Sequence, residues 1–215
     1  MTTERTLPNA NPHRPTFLNG IVPNPHNPGE WNGIVLPHVR TLTFTMSSTA
    51  DLHFASDMLV SNQLPYVYHH ITKIAYPQFF WFSGVAHNRR HNPYLQVASG
   101  LPELRELTFT LHTAGITTSA FGERQMLQIE ATDPVRAKER KVMRVQEVVY
   151  KYDLGGLFFC DKLQRIRVEY IDCAMTEFFT KTGRPVDVLR DVQAYLINGF
   201  AQNGRNVFVE LAKVN

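Results

Sequence analysis

Leu101-Pro-Glu-Leu-Arg-Glu-Leu-Thr-Phe-Thr110 occurs twice in this chain in closely similar form. Residues 36–45 read Leu-Pro-His-Val-Arg-Thr-Leu-Thr-Phe-Thr and match seven of its ten letters at an offset of 65. An internal echo of this kind points to a repeat architecture before it points to any chemistry. Around it, four segments share four apolar positions spaced three, three and two apart. They are Leu36/Val39/Leu42/Phe44, Tyr68/Ile71/Ile74/Tyr76, Leu101/Leu104/Leu107/Phe109 and Cys160/Leu163/Ile166/Val168. Their last members lie 32, 33 and 59 residues apart, so the final gap is close to twice the others. The period-2 ending puts two side chains on one face of a short strand. The three-residue steps before it suit a turn or helix end. Helices between successive strands make those strands parallel, with right-handed crossovers. The expectation is an α/β fold: a short stack of parallel strands alternating with helices, with Phe44, Tyr76, Phe109 and Val168 on neighbouring rungs. The alternative is a general open α/β sheet.

The shared spacing is similar to the leucine-rich-repeat pattern L-x-x-L-x-x-L-x-L, and resembles most the degenerate, long-period repeats that follow an F-box in fungal proteins. That resemblance implies a stack of strand–helix units that binds proteins with its strand-side surface. The family's asparagine position falls here on Ser47, Phe79, His112 and Ile171, so an asparagine ladder is not expected. No recognisable F-box precedes the repeats, and recruitment to a ubiquitin ligase is not carried over.

Outward from the repeats, residues 1–35 are rich in Pro, Asn and His and read as an irregular lead-in or cap, with Thr16–Pro23 as the capping run. Residues 36–215 read as one repeat-like α/β domain. Ser47-Ser-Thr offers an N-cap to a helix over 49–61 with Leu52, Ala55 and Leu59 on one face. Asn92-Pro93 caps a helix that ends at Gly100. Met126–Ile129 reads as a further strand, and Gly115–Gly122 as a plain connection. Asp133-Pro134 reads as the start of the longest helix, over 134–152, whose Val135, Val142, Val145, Val149 and Tyr152 face the sheet. A strand over 164–171, a helix over 185–201 and an alternating strand over 206–211 complete the chain.

No run of apolar residues approaches a membrane span, and the first residues lack the apolar core of a signal peptide. Cys160 and Cys173 flank an apparent strand, whose ends lie roughly 30 Å or more apart. A bridge needs Cα atoms within about 7 Å. The expected compartment is therefore intracellular, cytoplasmic or nuclear, with both thiols reduced. A net charge of +3 is mild for a dedicated nucleic-acid binder.

No Gly-x-Ser-x-Gly, His-Glu-x-x-His or Gly-x-Gly-x-x-Gly occurs, and no catalytic residue or cofactor is assigned. His87 and His91 stand at metal-ligand spacing, but the neighbouring Asn and Pro argue for an exposed loop, and a metal site is not favoured. Candidate partner contacts are Phe80 and Trp81 in an aromatic run, Arg89 and Arg90 beside the two histidines, and the stripe Arg136, Arg140 and Arg144. The leading expectation is a non-enzymatic module that binds a protein partner, with no membrane role. An α/β enzyme or ligand-binding domain with a site near Met46, Tyr76, His112 and Asp172 is the alternative. A nucleic-acid binder using the arginine stripe is the weaker alternative.

Overall fold

A computed structural model gives the fold and describes residues 4–6, 27–60, 66–79 and 91–214. Strand β1 (Glu4–Thr6) comes first, then a continuous helical run of α1 (Pro28–Glu30), a π turn (Trp31–Val35) and α2 (Leu36–Val39). Next come β2 (Thr43–Thr45), α3 (Thr49–Val60), a 3-10 turn (Val67–His70), β3 (Lys73–Tyr76), α4 (Pro93–Ser99) and β4 (Glu106–His112). A 3-10 turn (Thr113–Ile116) leads to β5 (Thr117–Ser119), α5 (Glu123–Thr132), β6 (Arg140–Val142) and α6 (Val145–Tyr152). The chain closes with β7 (Arg165–Ile171), α7 (Ala174–Phe179), β8 (Thr180–Thr182), α8 (Pro185–Gln202) and β9 (Phe208–Val214). The fold is α/β. Six strands form one open sheet in the order β1-β2-β3-β4-β7-β9, every pair parallel, and β5-β6-β8 form a small second sheet.

The repeat positions do become neighbouring rungs, with one slip. Tyr76, Phe109 and Val168 stand side by side, but Phe44 lies opposite Ile74 rather than Tyr76. Met46 takes the rung of Tyr76 instead, its N–H reaching the Ala75 carbonyl at 2.9 Å. The cause is where the turn falls and how soon the strand follows it. Leu104 and Leu163 each close a turn onto the residue three before, and two residues then separate them from Leu107 and Ile166. Leu42 closes the same turn onto Val39, yet only Thr43 separates it from Phe44. The first turn thus sits three residues later along the shared spacing and its entry is one residue shorter, a net shift of two that keeps the same side chains on the buried face. The ten-letter echo aligned letters that the sheet does not align.

One core cluster collects Phe44, Ile74, Leu107, Ile166 and Val209 from one row of the sheet with Met46, Tyr76, Phe109 and Val168 from the next. Helices supply the rest. In α8 the buried Leu189, Val192, Leu196 and Phe200 recur at three- and four-residue steps, the stripe an amphipathic helix turns to a sheet. Pro185 fits its first turn, and Gly204, at φ +69, follows its end. In α3, Ser48 Oγ accepts from Asp51 N–H at 3.2 Å, while the Asp51 carboxylate accepts from Ser47 and Ser48 N–H at 2.7 and 3.0 Å. That reciprocal cap fixes the helix start. Leu52 and Ala55 are buried as expected, and the Leu59 side chain lies outside the described set.

Several elements differ from the sequence expectation. The lead-in is helical from Pro28, since Asn27 Oδ1 accepts from Glu30 N–H and Pro suits a first turn. Trp31, Val35, Leu36 and Val39 then bury one face. Residues that looked like breakers are here a start signal. The capping run Thr16–Pro23 lies outside the described residues. Met126–Ile129 lie in α5 rather than a strand, within a run of Glu, Arg, Gln, Met, Leu and Ala that favours helix. The helix expected over 134–152 is broken into the 3-10 turn Arg136–Lys138, β6 and α6. Arg140–Val142 are drawn into pairing with β5 and β8, and Val135 is 65% exposed instead of facing the sheet. Tertiary pairing overrides a helical rhythm built largely from β-branched valines. The 59-residue gap therefore holds no missing rung. β4 and β7 are direct neighbours, and the extra chain builds the small sheet.

Candidate functional site

Strand alternation sends every second side chain to the face opposite the core. On that face one row runs Thr43, Lys73, Glu106, Arg165 and Phe208, and the next runs Thr45, Ala75, Thr108, Arg167 and Glu210. Thr110, Glu169 and Ala212 form a third. None of these residues belongs to the core cluster into which the helices pack. A last row, His112, Ile171 and Val214, is mostly apolar, so the large sheet presents one apolar face and one largely polar face.

The polar face is electrostatically organised. Lys73 Nζ lies 2.9 Å from Glu106. Arg165 and Arg167 both reach Glu210, at 2.7 and 3.5 Å, and Arg167 also pairs with Glu169 at 3.0 Å. The Thr110 hydroxyl donates to Glu169 at 3.0 Å. The hydrogen bond from Arg165 holds the Glu210 carboxyl below its ordinary range, against a smaller opposing effect of burial. The Arg165 guanidinium also lies 5.7 Å from the centre of the Phe208 ring, itself 61% exposed. Charges thus gather on β7 and β9. Across β2, β3 and β4 the middle row carries only Thr45, Ala75 and Thr108, a low strip beside the charged ladder.

Of the residues singled out from sequence, Phe80, Trp81, His87, Arg89 and Arg90 lie outside the described residues. Their neighbour Phe79 is core, its ring 4.9 Å from Phe109 and 5.4 Å from Tyr94. His91 is exposed, with Nδ1 3.5 Å from the Asp153 carboxylate. No group of His, Cys, Asp and Glu suited to a metal occurs among the described residues. Arg136, Arg140 and Arg144 do not share a helix face. Arg136 sits in a 3-10 turn near the Phe121 ring, Arg140 is half-buried in β6, and Arg144 precedes α6, where it caps the helix together with Glu147. The stripe on which a nucleic-acid role rested is dissolved by the break in its helix.

At the carboxyl ends, Met46 and Tyr76 are fully buried, and the Tyr76 hydroxyl donates to the Tyr94 carbonyl at 2.7 Å. Asp172 pairs with Lys213 at 2.6 Å. Both cysteines are free. Burial pushes the Cys160 thiol up to about 11, with Arg205 opposing. Hydrogen bonds at Thr176 hold the Cys173 thiol below its ordinary value.

Sequence reasoning passed over Lys73, Glu106, Arg165, Arg167, Glu169 and Glu210. A signal was present in β7, where Arg165, Arg167 and Glu169 alternate with Ile166, Val168 and Tyr170. Among the described residues no helix is long and apolar enough to cross a membrane. No family model, no curated protein and no solved structure matches this chain.

Proposed function

We propose that this chain is a non-enzymatic protein-interaction module whose strand–helix units stack as leucine-rich-repeat-like rungs. The partner is a polypeptide, and the polar face of the large sheet is the surface that reads it. One observation carries the reading: one face of the large sheet is largely polar, while the core and the helices that pack into it, α2, α3, α4, α6 and α8, lie on the other side. Strand order supports it as well. The strands follow chain order without the reversal that opens a ligand crevice in doubly wound sheets. Stacked units leave a broad continuous surface suited to an extended partner. Free thiols agree with an intracellular setting.

Thr108→Arg places a long cation in the low strip, and Asn198→Arg places one on exposed α8, away from the sheet face. With each protein immobilised, a polypeptide retained from cell extract by wild type is expected on Asn198→Arg and lost on Thr108→Arg. Equal retention by all three proteins contradicts the proposal.

A further inference from the structure

The chain inserted between β4 and β7 gathers charge as well as structure. Residues 113–152 hold seven basic and five acidic side chains, most of the chain's surplus of +3. An open groove of about 630 Å³ runs between β5, β6 and α6, with Ser119, Phe121, Lys141, Glu147, Tyr150 and Lys151 among its walls. That volume lies within the range of small-ligand sites.

Its charges are unevenly matched. Lys151 is half-buried and donates to the Gly115 carbonyl at 2.6 Å. Arg140, just behind, gives Nε to Thr117 Oγ1 at 2.7 Å and Nη2 to the Thr117 carbonyl at 3.1 Å. Lys141 is exposed on β6. None of the three forms an ion pair with a carboxylate among the described residues. The one acid on the walls, Glu147, is bound chiefly to Arg144, its two oxygens accepting from Arg144 N–H at 2.7 Å and from the Arg144 guanidinium at 3.3 Å, with Lys141 acting on it only through charge. Burial, reinforced by Arg140, holds the Lys151 ammonium below its ordinary pKa, so a bound anion would relieve a cost already present. Tyr150 stands 82% exposed at the same groove, a large ring left in water unless something covers it.

We propose that this groove binds a small phosphate-bearing molecule with a planar ring, the phosphate held by Lys141 and Lys151 and the ring laid against Tyr150 and Phe121. The Thr118 and Ser119 hydroxyls add polar partners at the wall. Interleaved acids such as Glu123, Glu130 and Glu139 disfavour the long polyanionic track that nucleic acid needs. The groove lies on the small sheet, and ligand binding there does not depend on the face of the large sheet.

Calorimetric titration of the full chain with inorganic pyrophosphate, adenosine diphosphate and a single-stranded oligonucleotide tests it. Wild type is expected to bind both small probes, the diphosphate nucleotide more tightly. Lys141→Met and Lys151→Met each weaken both by about tenfold or more. Tyr150→Ala weakens only the nucleotide. Lys141 is exposed, so its variant decides the matter even if Lys151→Met fails to fold. Absence of binding at millimolar probe, affinities unchanged in Lys141→Met, or tighter binding of the oligonucleotide than of the nucleotide would each overturn the proposal.

Discussion

Arg165 on β7 and Glu210 on β9 are joined across adjacent strands at 2.7 Å, on the face that no core residue shares. The bond lowers the Glu210 pKa. A carboxyl depressed in the folded state stabilises fully above its unfolded value of about 4.3. That contribution is lost as pH falls through the folded value. Both side chains are substantially exposed, so the stabilisation at neutral pH is small. The thermal midpoint of Glu210→Gln, followed by circular dichroism, is therefore expected slightly below wild type at about pH 7 and level with it near pH 3. A gap that stays constant across this range contradicts the pairing.

The two faces of β4 make unequal demands. Phe109 is fully buried against Phe79, whereas its neighbour Thr108 is half-buried on the polar face. Phe109→Ala opens a cavity and is expected to cost about 3–5 kcal/mol in urea denaturation. Thr108→Ala is expected to cost about 1 kcal/mol or less. Comparable costs would mean that the sheet is packed on both sides.

The cysteines separate by environment. At neutral pH iodoacetamide is expected to modify half-buried Cys173 first, its pKa lowered by hydrogen bonding, and to reach Cys160 only on unfolding. Cys160 also carries a pH signature. Its pKa rises from 9.0 to about 11 in the fold, so its contribution is full below 9.0 and fades as pH climbs toward 11. The midpoint of Cys160→Val should fall less steeply than that of wild type across this interval. Rapid labelling of both thiols in folded protein contradicts the placement.

Apolar rhythm made the large sheet legible. Three of four rungs follow the three-three-two spacing, because a residue count in turn and strand fixes which side chains meet. The first rung does not, since its turn falls three residues later and its entry is one residue shorter, and letter identity cannot register either. Asn92 shows the same boundary. Its cap is visible in Asn-Pro, and its Oδ1 accepts from Tyr94 N–H at 3.0 Å. Yet its amide also donates to the Tyr152 carbonyl at 2.9 Å, sixty residues away, a bond no local pattern announces. The small sheet was hidden for a related reason: three-residue strands are too short to show a period, and their pairing is decided by partners far along the chain. The polar face was written in the alternation of β7, but alternation names a face without saying what meets it.

Position-dependent photo-cross-linking tests the polar face most directly. A benzoylphenylalanine placed at Thr108 or Arg167 should capture one polypeptide partner in cell extract, and the same group at Asn198 on α8 should capture none of it. Capture of that partner from Asn198 but not from the sheet positions would contradict the assignment of the sheet face as the docking surface.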